Sequence, residues 1–383
     1  MPWKESGPMD ERLAFVRDAH RDRFTMSELC ARYGVSRRVG YKWLARFEAE
    51  GRPGLTDRSR APHHRPHRLA ERLVELFVTE RTAHPFWGAR KLLTVLAKRH
   101  PRIETWPAPS TVADLLARRG LVKRRRTRRK PIHPGVVRPD TAAPNDLWTA
   151  DYKGQFRTGD GAYCYPLTIA DQHTRFLLTC HGVLSTHAHV AKPVFERAFR
   201  EFGLPIALRT DNGIPFATQS VHGLSFLNVW WMRLGILHQR IRPASPQENG
   251  AHERMHRTLK RQAILPLRRS CAAQQRNFDA FRHEYNEERP HETLGQETPA
   301  SRYRRSPRPY PERLPAIEYP ADFLVKKITT AGTFRFGKRL LYLANAMVDQ
   351  PIGLEEIDDG EWRIWFNGIL LATFDENDYI IRG

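Results

Sequence analysis

The chain has 383 residues, 40% of them hydrophobic, with nine Trp and nineteen Phe, which suits two to four packed domains and argues against a disordered chain. A formal net charge of +21 calls for a polyanionic partner, and the charge is graded: +17 over residues 1–145 (32 Lys/Arg against 15 Asp/Glu), +7 over 146–320 (24 against 17) and −3 over 321–383 (7 against 10), unlike the even basicity of a ribosomal or histone-like protein. Four scattered cysteines (Cys30, Cys164, Cys180, Cys271) without a CxxC pair argue against a disulfide framework or a cysteine zinc site, and the lack of a long apolar run points to a cytoplasmic protein with no membrane partner.

Residues 1–50 read as a helix-turn-helix. Leu13, Phe15, Val16 and Ala19 mark a first helix, and Thr25-Met26-Ser27-Glu28 fits a capping box that opens a second one. Gly34 suits the left-handed turn that ends it, and Ser36 then caps a third helix. On that helix Val39, Trp43, Leu44 and Phe47 share the buried face, which leaves Arg37, Arg38, Tyr41 and Lys42 outward, where a recognition helix meets base edges. Residues 51–67, rich in Pro, Gly and His, read as a linker.

A second helix-turn-helix-like unit covers 68–122, with apolar spacing through Leu69, Leu73, Leu76 and Phe77, a helix from Gly88 to Arg99, and Ser110 capping STVADLLARRG. The basic linker 123–145 opens with KRRRTRRK. Such a run is usually a solvated tail, but between two folded domains Arg124, Arg125, Arg126, Arg128 and Arg129 are placed to track a phosphate backbone.

From 146 to 300 the pattern changes to mixed α/β. DLWTADYKGQF, YCYPLTIADQ and TRFLLTCHGVL read as three strands with hairpin turns at 159–161 and 171–174. A helix near 186–202, a strand ending in TDNG, the amphipathic helix 225–236, a fifth strand ILHQRI and a helix from about Gly250 follow. Residues 301–320 form a Pro-rich linker, and 321–383 alternate short apolar runs with Gly and Asp turns, as in a small β-barrel. The fold class is therefore multidomain: helical modules, an α/β core and a small β domain.

Within the core, Asp151 interrupts a strand, Asp211 sits at a strand's end, and Glu253 lies about one turn into a helix. Three carboxylates on neighbouring elements can hold two divalent ions at the ~3.5–4 Å separation of two-metal phosphoryl transfer, and oxygen donors suit Mg²⁺. Spacing alone does not single these three out, since the chain has 42 acids.

WTADY (148–152), TDNG (210–213) and PQENGAHERMHRTLK (246–260), followed by YNEERPHETLGQETP (285–299), resemble the integrase-type DDE transposases of bacterial insertion sequences, relatives of the retroviral integrase catalytic core. GVSRRVGYKWLARF (34–47) and PFWGARKLL (85–93) resemble their N-terminal DNA-binding region. The resemblance implies a ribonuclease-H-like core in which Asp151, Asp211 and Glu253 bind Mg²⁺ or Mn²⁺, two ions with DNA bound. It implies a homo-oligomer on double-stranded DNA, in which water cleaves the element ends and the resulting 3′-OH groups attack target DNA. Arg257 and Lys260, at i+4 and i+7 from Glu253, take the place of the basic residue that contacts the DNA end.

Two departures stand out. The interval from Asp211 to Glu253 (253 − 211 = 42) is longer than is common among integrases, with the excess in IPFATQSVHGLSF (214–226), whereas Glu248 (248 − 211 = 37) is nearer that interval but lies on a loop. His63, His64 and His67 have no Cys pair beside them, so they read as linker residues and no zinc is expected. Asp146, Asp160 and Asp171 read as turn residues, Trp148, Trp230 and Trp231 as core, and Tyr285, Asn286, Arg289 and His291 as packing with DNA contact as the alternative. The rival functions are a DNA-binding regulator without chemistry and a nuclease without strand transfer.

Overall fold

The computed structural model describes residues 7–59, 69–122, 141–218, 223–241 and 250–382. The five arginines Arg124, Arg125, Arg126, Arg128 and Arg129, together with Glu248, His63, His64 and His67, lie outside the described residues. The chain divides into two compact units, Met1–Ala70 and Glu71–Gly383. Among the described residues no helix is long and apolar enough to cross a membrane.

The first unit holds α1 (Pro8–His20), α2 (Met26–Arg32) and α3 (Arg37–Glu50). Thr25 and Glu28 form the expected capping box, and the Ser36 hydroxyl accepts from the Val39 amide at the start of α3. Phe15, Val16, Leu29, Cys30, Trp43 and Leu55 make the core. Gly40 is required for it: a Cβ there would lie 2.7 Å from Cys30 Sγ and 2.8 Å from the Phe15 ring. The expected linker starts too early. Residues Arg52–Leu55 form a 3₁₀ turn that buries Leu55, and Arg12 locks it by donating to the Leu55 carbonyl (2.8 Å) and to Asp57 (2.9 Å).

The second unit opens with α4 (Glu71–Ala83), α5 (Ala89–Arg99) and α6 (Pro109–Arg118). The last begins earlier than expected, with Ala108 as its cap and Pro109 in its first turn, so Ser110 is a helical residue and not the cap. Trp87, fully buried, stacks on His84 and donates its indole N–H to Glu284 (3.1 Å), which ties these helices to the mixed domain.

That domain is built on β1 (Leu147–Tyr152), β2 (Phe156–Arg157), β3 (Tyr163–Asp171), β4 (Leu177–Val183), β5 (Ala207–Thr210) and β6 (Leu237–Arg240). β3 pairs antiparallel with β1, β2 and β4, while β1–β5 and β5–β6 are parallel. Alternation along the strands sorts the side chains. Trp148, Ala150, Leu167 and Ile169 face α7 (Ala188–Phe202) and α8 (Phe226–Arg233) in one core, which also takes Trp230 and Trp231. Thr149, Asp151 and Thr168 turn to the other face, covered by α9 (Gly250–Leu259) and α10 (Cys271–His283). Asp171 is the last residue of β3 and holds the turn that was expected there, its buried carboxylate accepting from the Thr174 hydroxyl and amide and from the Asn145 amide. Asn286 pairs both side-chain ends with the backbone of Leu177, and Tyr285 is buried, so both serve packing.

The expected Pro-rich linker is a strap. After α11 (Pro299–Arg302), the Ser306 and Leu204 amides donate to the Phe202 and Arg308 carbonyls, while the Arg308 guanidinium grips the carbonyls of Pro205, Leu234 and Gly235. Gly203 permits this approach, since its position lies 2.8 Å from two strap carbonyl oxygens where a Cβ would stand. The last residues form a five-stranded antiparallel sheet (Leu324–Lys327, Pro351–Asp358, Glu361–Phe366, Ile369–Asp375, Ile381–Arg382) and a separate hairpin (Thr333–Phe336 with Arg339–Tyr342) over one core. The expected small β domain is thus present, as two separate antiparallel sheets in place of a closed barrel.

Candidate active site

Asp151 is the penultimate residue of β1, opposite Thr168 of β3. Continuing the parallel β1–β5 register, in which Thr149 pairs with Arg209, sets Asp151 level with Asp211, the first residue past β5. The turn after β5 is tied down: the Gly213 amide donates to the Asp211 carboxylate (3.2 Å) and the Asn212 side chain donates to the Ile241 carbonyl (2.8 Å). A side chain at Gly213 would press on the Asp211 carboxylate, its Cβ only 3.1 Å away. Glu253 stands exposed in the first turn of α9.

Electrostatics links the three acids. Burial pushes the Asp151 carboxyl up to about 7, and the charges of Asp211 and then Glu253 add to that. Asp211 is raised as well, mainly by burial. A cluster that repels its own charge in this way fits a bound cation, whose charge would offset the repulsion.

Beneath the acids lies a group that the sequence reading missed. His252 and His256 point from α9 into the sheet, where the Thr168 hydroxyl meets Nε2 of both rings (2.7 Å each) and donates to the Asp151 carbonyl (2.9 Å). One hydroxyl proton cannot serve three partners, so both imidazoles donate from Nε2. Nδ1 of His252 then accepts from Thr149 (2.9 Å), and Nδ1 of His256 faces the Asp151 carboxylate at 3.7 Å. Burial depresses the rings to about 3 and about 2 and keeps them neutral. Asp151, His252 and His256 are close enough to hold a metal ion, but three of the four ring nitrogens are engaged with threonines, which leaves Nδ1 of His256 beside the Asp151 carboxylate. The i, i+4 spacing in HERMHR was a visible signal that two imidazoles share a face.

The family model described as Integrase core domain matches residues 141–246, and a second of that description matches 234–299. The middle of this chain is therefore similar to integrase cores. A third model, described as the leucine-zipper of insertion element IS481, matches 11–83, where the described residues form α1 to α4 and a 3₁₀ turn in place of one long zipper helix. A 39.2 kDa protein of insertion element IS476 from Xanthomonas euvesicatoria is 29% identical over 237 residues, 61% of this chain and 63% of the relative. A 31.7 kDa protein of IS407 from Burkholderia multivorans is 28% identical over 247 residues, 62% of this chain and 82% of the relative. The Gag-Pol polyprotein of avian reticuloendotheliosis virus is 34% identical over 140 residues, 36% of this chain and 11% of the polyprotein. The chain thus spans less than two thirds of the first of these relatives. The integrase core belongs to DNA transposition and integration, and its enzymes are of polynucleotidyl-transferase type.

Along α9 of the integrase core, Arg257 is exposed one turn beyond Glu253, as expected. Lys260 is exposed too, but it opens a π-helical turn (Lys260–Ile264), so it leaves the regular α-helical face. In the other unit Arg37, Arg38, Tyr41 and Lys42 are exposed along α3, with the Lys42 amine 4.1 Å above the Trp43 ring.

Proposed function

We propose that this chain is a DNA transposase that cuts the ends of a mobile element and joins the exposed 3′-OH groups to target DNA, with Asp151, Asp211 and Glu253 as its catalytic carboxylates. The observation that carries the reading is their convergence: two strand ends and one helix start bring three acids so close that each neighbour raises the Asp151 carboxyl. Asp151, Asp211 and Glu253 would hold Mg²⁺ or Mn²⁺, two ions with DNA bound. Bound there, the ions supply activation of the attacking oxygen and stabilisation of the leaving oxygen. The chain's own residues do the holding. Thr168, itself held by His252 and His256, fixes the Asp151 backbone from below, and the Gly213 amide orients Asp211. Arg257 and Lys260 grip the DNA end beside Glu253.

α2 and α3 act as a helix-turn-helix on the duplex ends, reading bases through Arg37, Arg38, Tyr41 and Lys42. The arginines at 124–126, 128 and 129 hold phosphates nonspecifically, and the protein works as a homo-oligomer on two ends. Asp151→Asn and Asp211→Asn should abolish Mg²⁺-dependent cleavage and joining of a labelled end while its binding stays nearly intact, because affinity resides in phosphate and groove contacts. Near-wild-type cleavage by either variant would remove the carboxylates from the mechanism.

A further inference from the structure

Two stretches far apart in sequence, PFWGARKLL (85–93) and YNEERPHETLG (285–295), fold against each other. Arg90 pairs with Glu292 (2.8 Å), and the Lys91 amine donates to the Pro290 carbonyl. Between them and α9 lies a cavity of about 210 Å³ lined by Lys91, Arg254, Arg289 and His291, with Arg175 in its wall. That volume is far above the ~10–15 Å³ needed for one water.

We propose that this cavity is a subsite for a phosphate of the DNA backbone, held by Lys91, Arg254 and Arg289. The proposal rests on the reading of the chain as a DNA-acting enzyme and adds a contact to it. Charge balance is the first argument. The carboxylate in the lining, Glu292, is engaged with Arg90. Arg254 has no ion pair among the described residues. Arg289 is half-buried and donates to the neutral Gln262 side chain (3.2 Å). The field of Glu284 reaches Arg289, but its Oε1 already accepts from Trp87 and Gln262. Lys91 and Arg289 are half-buried and Arg254 is exposed beside them, and half-buried cations sharing one wall are costly unless an anionic ligand supplies the matching charge.

The second argument is donor chemistry. Guanidinium forks and a lysine amine suit the oxygens of a phosphate. His291 lies beside them with its ring kept neutral, its pKa near 3, by burial and by the surrounding cations, and its Nε2 is buried without a hydrogen-bond partner, so it adds no charge and no donor of its own. Burial and the Arg289 charge also bring Lys91 down to about 8, against the opposing pull of Glu292. The third is position. Ala251, Arg254 and Thr258 line the cavity from one flank of α9, whereas Glu253 and Arg257 follow the other. A DNA strand lying over α9 can therefore meet both flanks.

The test uses the full-length chain and the paired substitution Lys91→Gln with Arg254→Gln, beside the charge-keeping pair Lys91→Arg with Arg254→Lys. Two readouts are taken: the slope of log K against log salt on a random duplex, and the rise in melting temperature caused by inorganic phosphate. The Gln pair should flatten the slope by about 0.9, one phosphate contact, and lose the stabilisation by inorganic phosphate, while the charge-keeping pair retains both. Loss of the phosphate effect with an unchanged slope would mean a free anion and overturn the backbone assignment. No change in either would overturn the site. Should the Gln pair melt early, Arg254→Gln alone, at an exposed position, repeats both measurements. A wild-type chain that bound DNA with a slope sensitive to these residues but never cleaved it would sink the transposase reading and leave the subsite standing.

Discussion

On the proposed reading, the exposed face of α3 and the acid cluster over β1 are two solutions to handling DNA, and they load the fold differently. On α3 the side chains that would read bases stand in solvent, with Tyr41 58% exposed, over a core made by other residues. At β1 the working group is inside. Nδ1 of the buried His256 lies 3.7 Å from the Asp151 carboxylate, whose charge is opposed by burial and by two further acids. Contact residues can be placed on a finished fold at almost no cost to it. Reactive carboxylates must be held where the fold least tolerates them, and the surrounding structure has to absorb that cost.

The strongest test of this contrast is stability against pH. In the folded chain Asp151 titrates near 7, against the usual 3.8. Below about 4 both folded and unfolded states hold the proton. Between about 4 and 7 only the folded state holds it, so stability falls as pH rises through that window and levels off above it. Asp151→Asn removes the penalty. In chelator at pH 8 the variant should be more stable by up to ~4 kcal/mol, taking ~1.36 kcal/mol per pKa unit, with no gain at pH 4. Denaturant melts at the two pH values measure this, and parallel curves for wild type and variant would break the contrast. Next in size is Thr168→Val, which strips the Asp151 carbonyl and two imidazole N–H groups of their shared partner. At ~1–3 kcal/mol for each buried group left unsatisfied, and with partial relaxation, the loss should be about 3 kcal/mol, together with a fall in kcat at unchanged DNA affinity. A loss below ~0.5 kcal/mol, the size of an ordinary surface substitution, would mean the network bears no load.

Much of this was legible in the sequence because local rules and the global fold agree. The capping box at Thr25, the Ser36 cap and the strand through Trp148, with that ring in the core, appear as read. The three acids could be named from their motifs, and the fold brings them together. What stayed hidden depends on contacts distant in sequence. Nothing local says that Thr168 meets His252 and His256, 84 and 88 residues on. Nor does a run of Pro and Arg announce that Arg308 will clamp three carbonyls and make a strap of an apparent linker. Leu55 likewise looked like linker until Arg12, 43 residues earlier, supplied its partner.

The smallest expected effect on the fold is at α3, and there the contrast makes its sharpest statement about binding. Arg37 and Arg38 open the helix just after the Ser36 cap, exposed on a surface that the core beneath does not use. Arg37→Ala or Arg38→Ala should therefore leave the melting temperature almost unchanged. If these side chains read bases, each should cost about 1–3 kcal/mol on the correct end sequence and much less on random duplex, because base contacts specify while phosphate contacts only position. Parallel titrations on both DNAs at one salt concentration measure the difference. Equal losses on both would turn α3 into a phosphate grip and move recognition of the ends to another element. A drop in melting temperature comparable to that of Thr168→Val would show that the exposed face carries part of the fold after all.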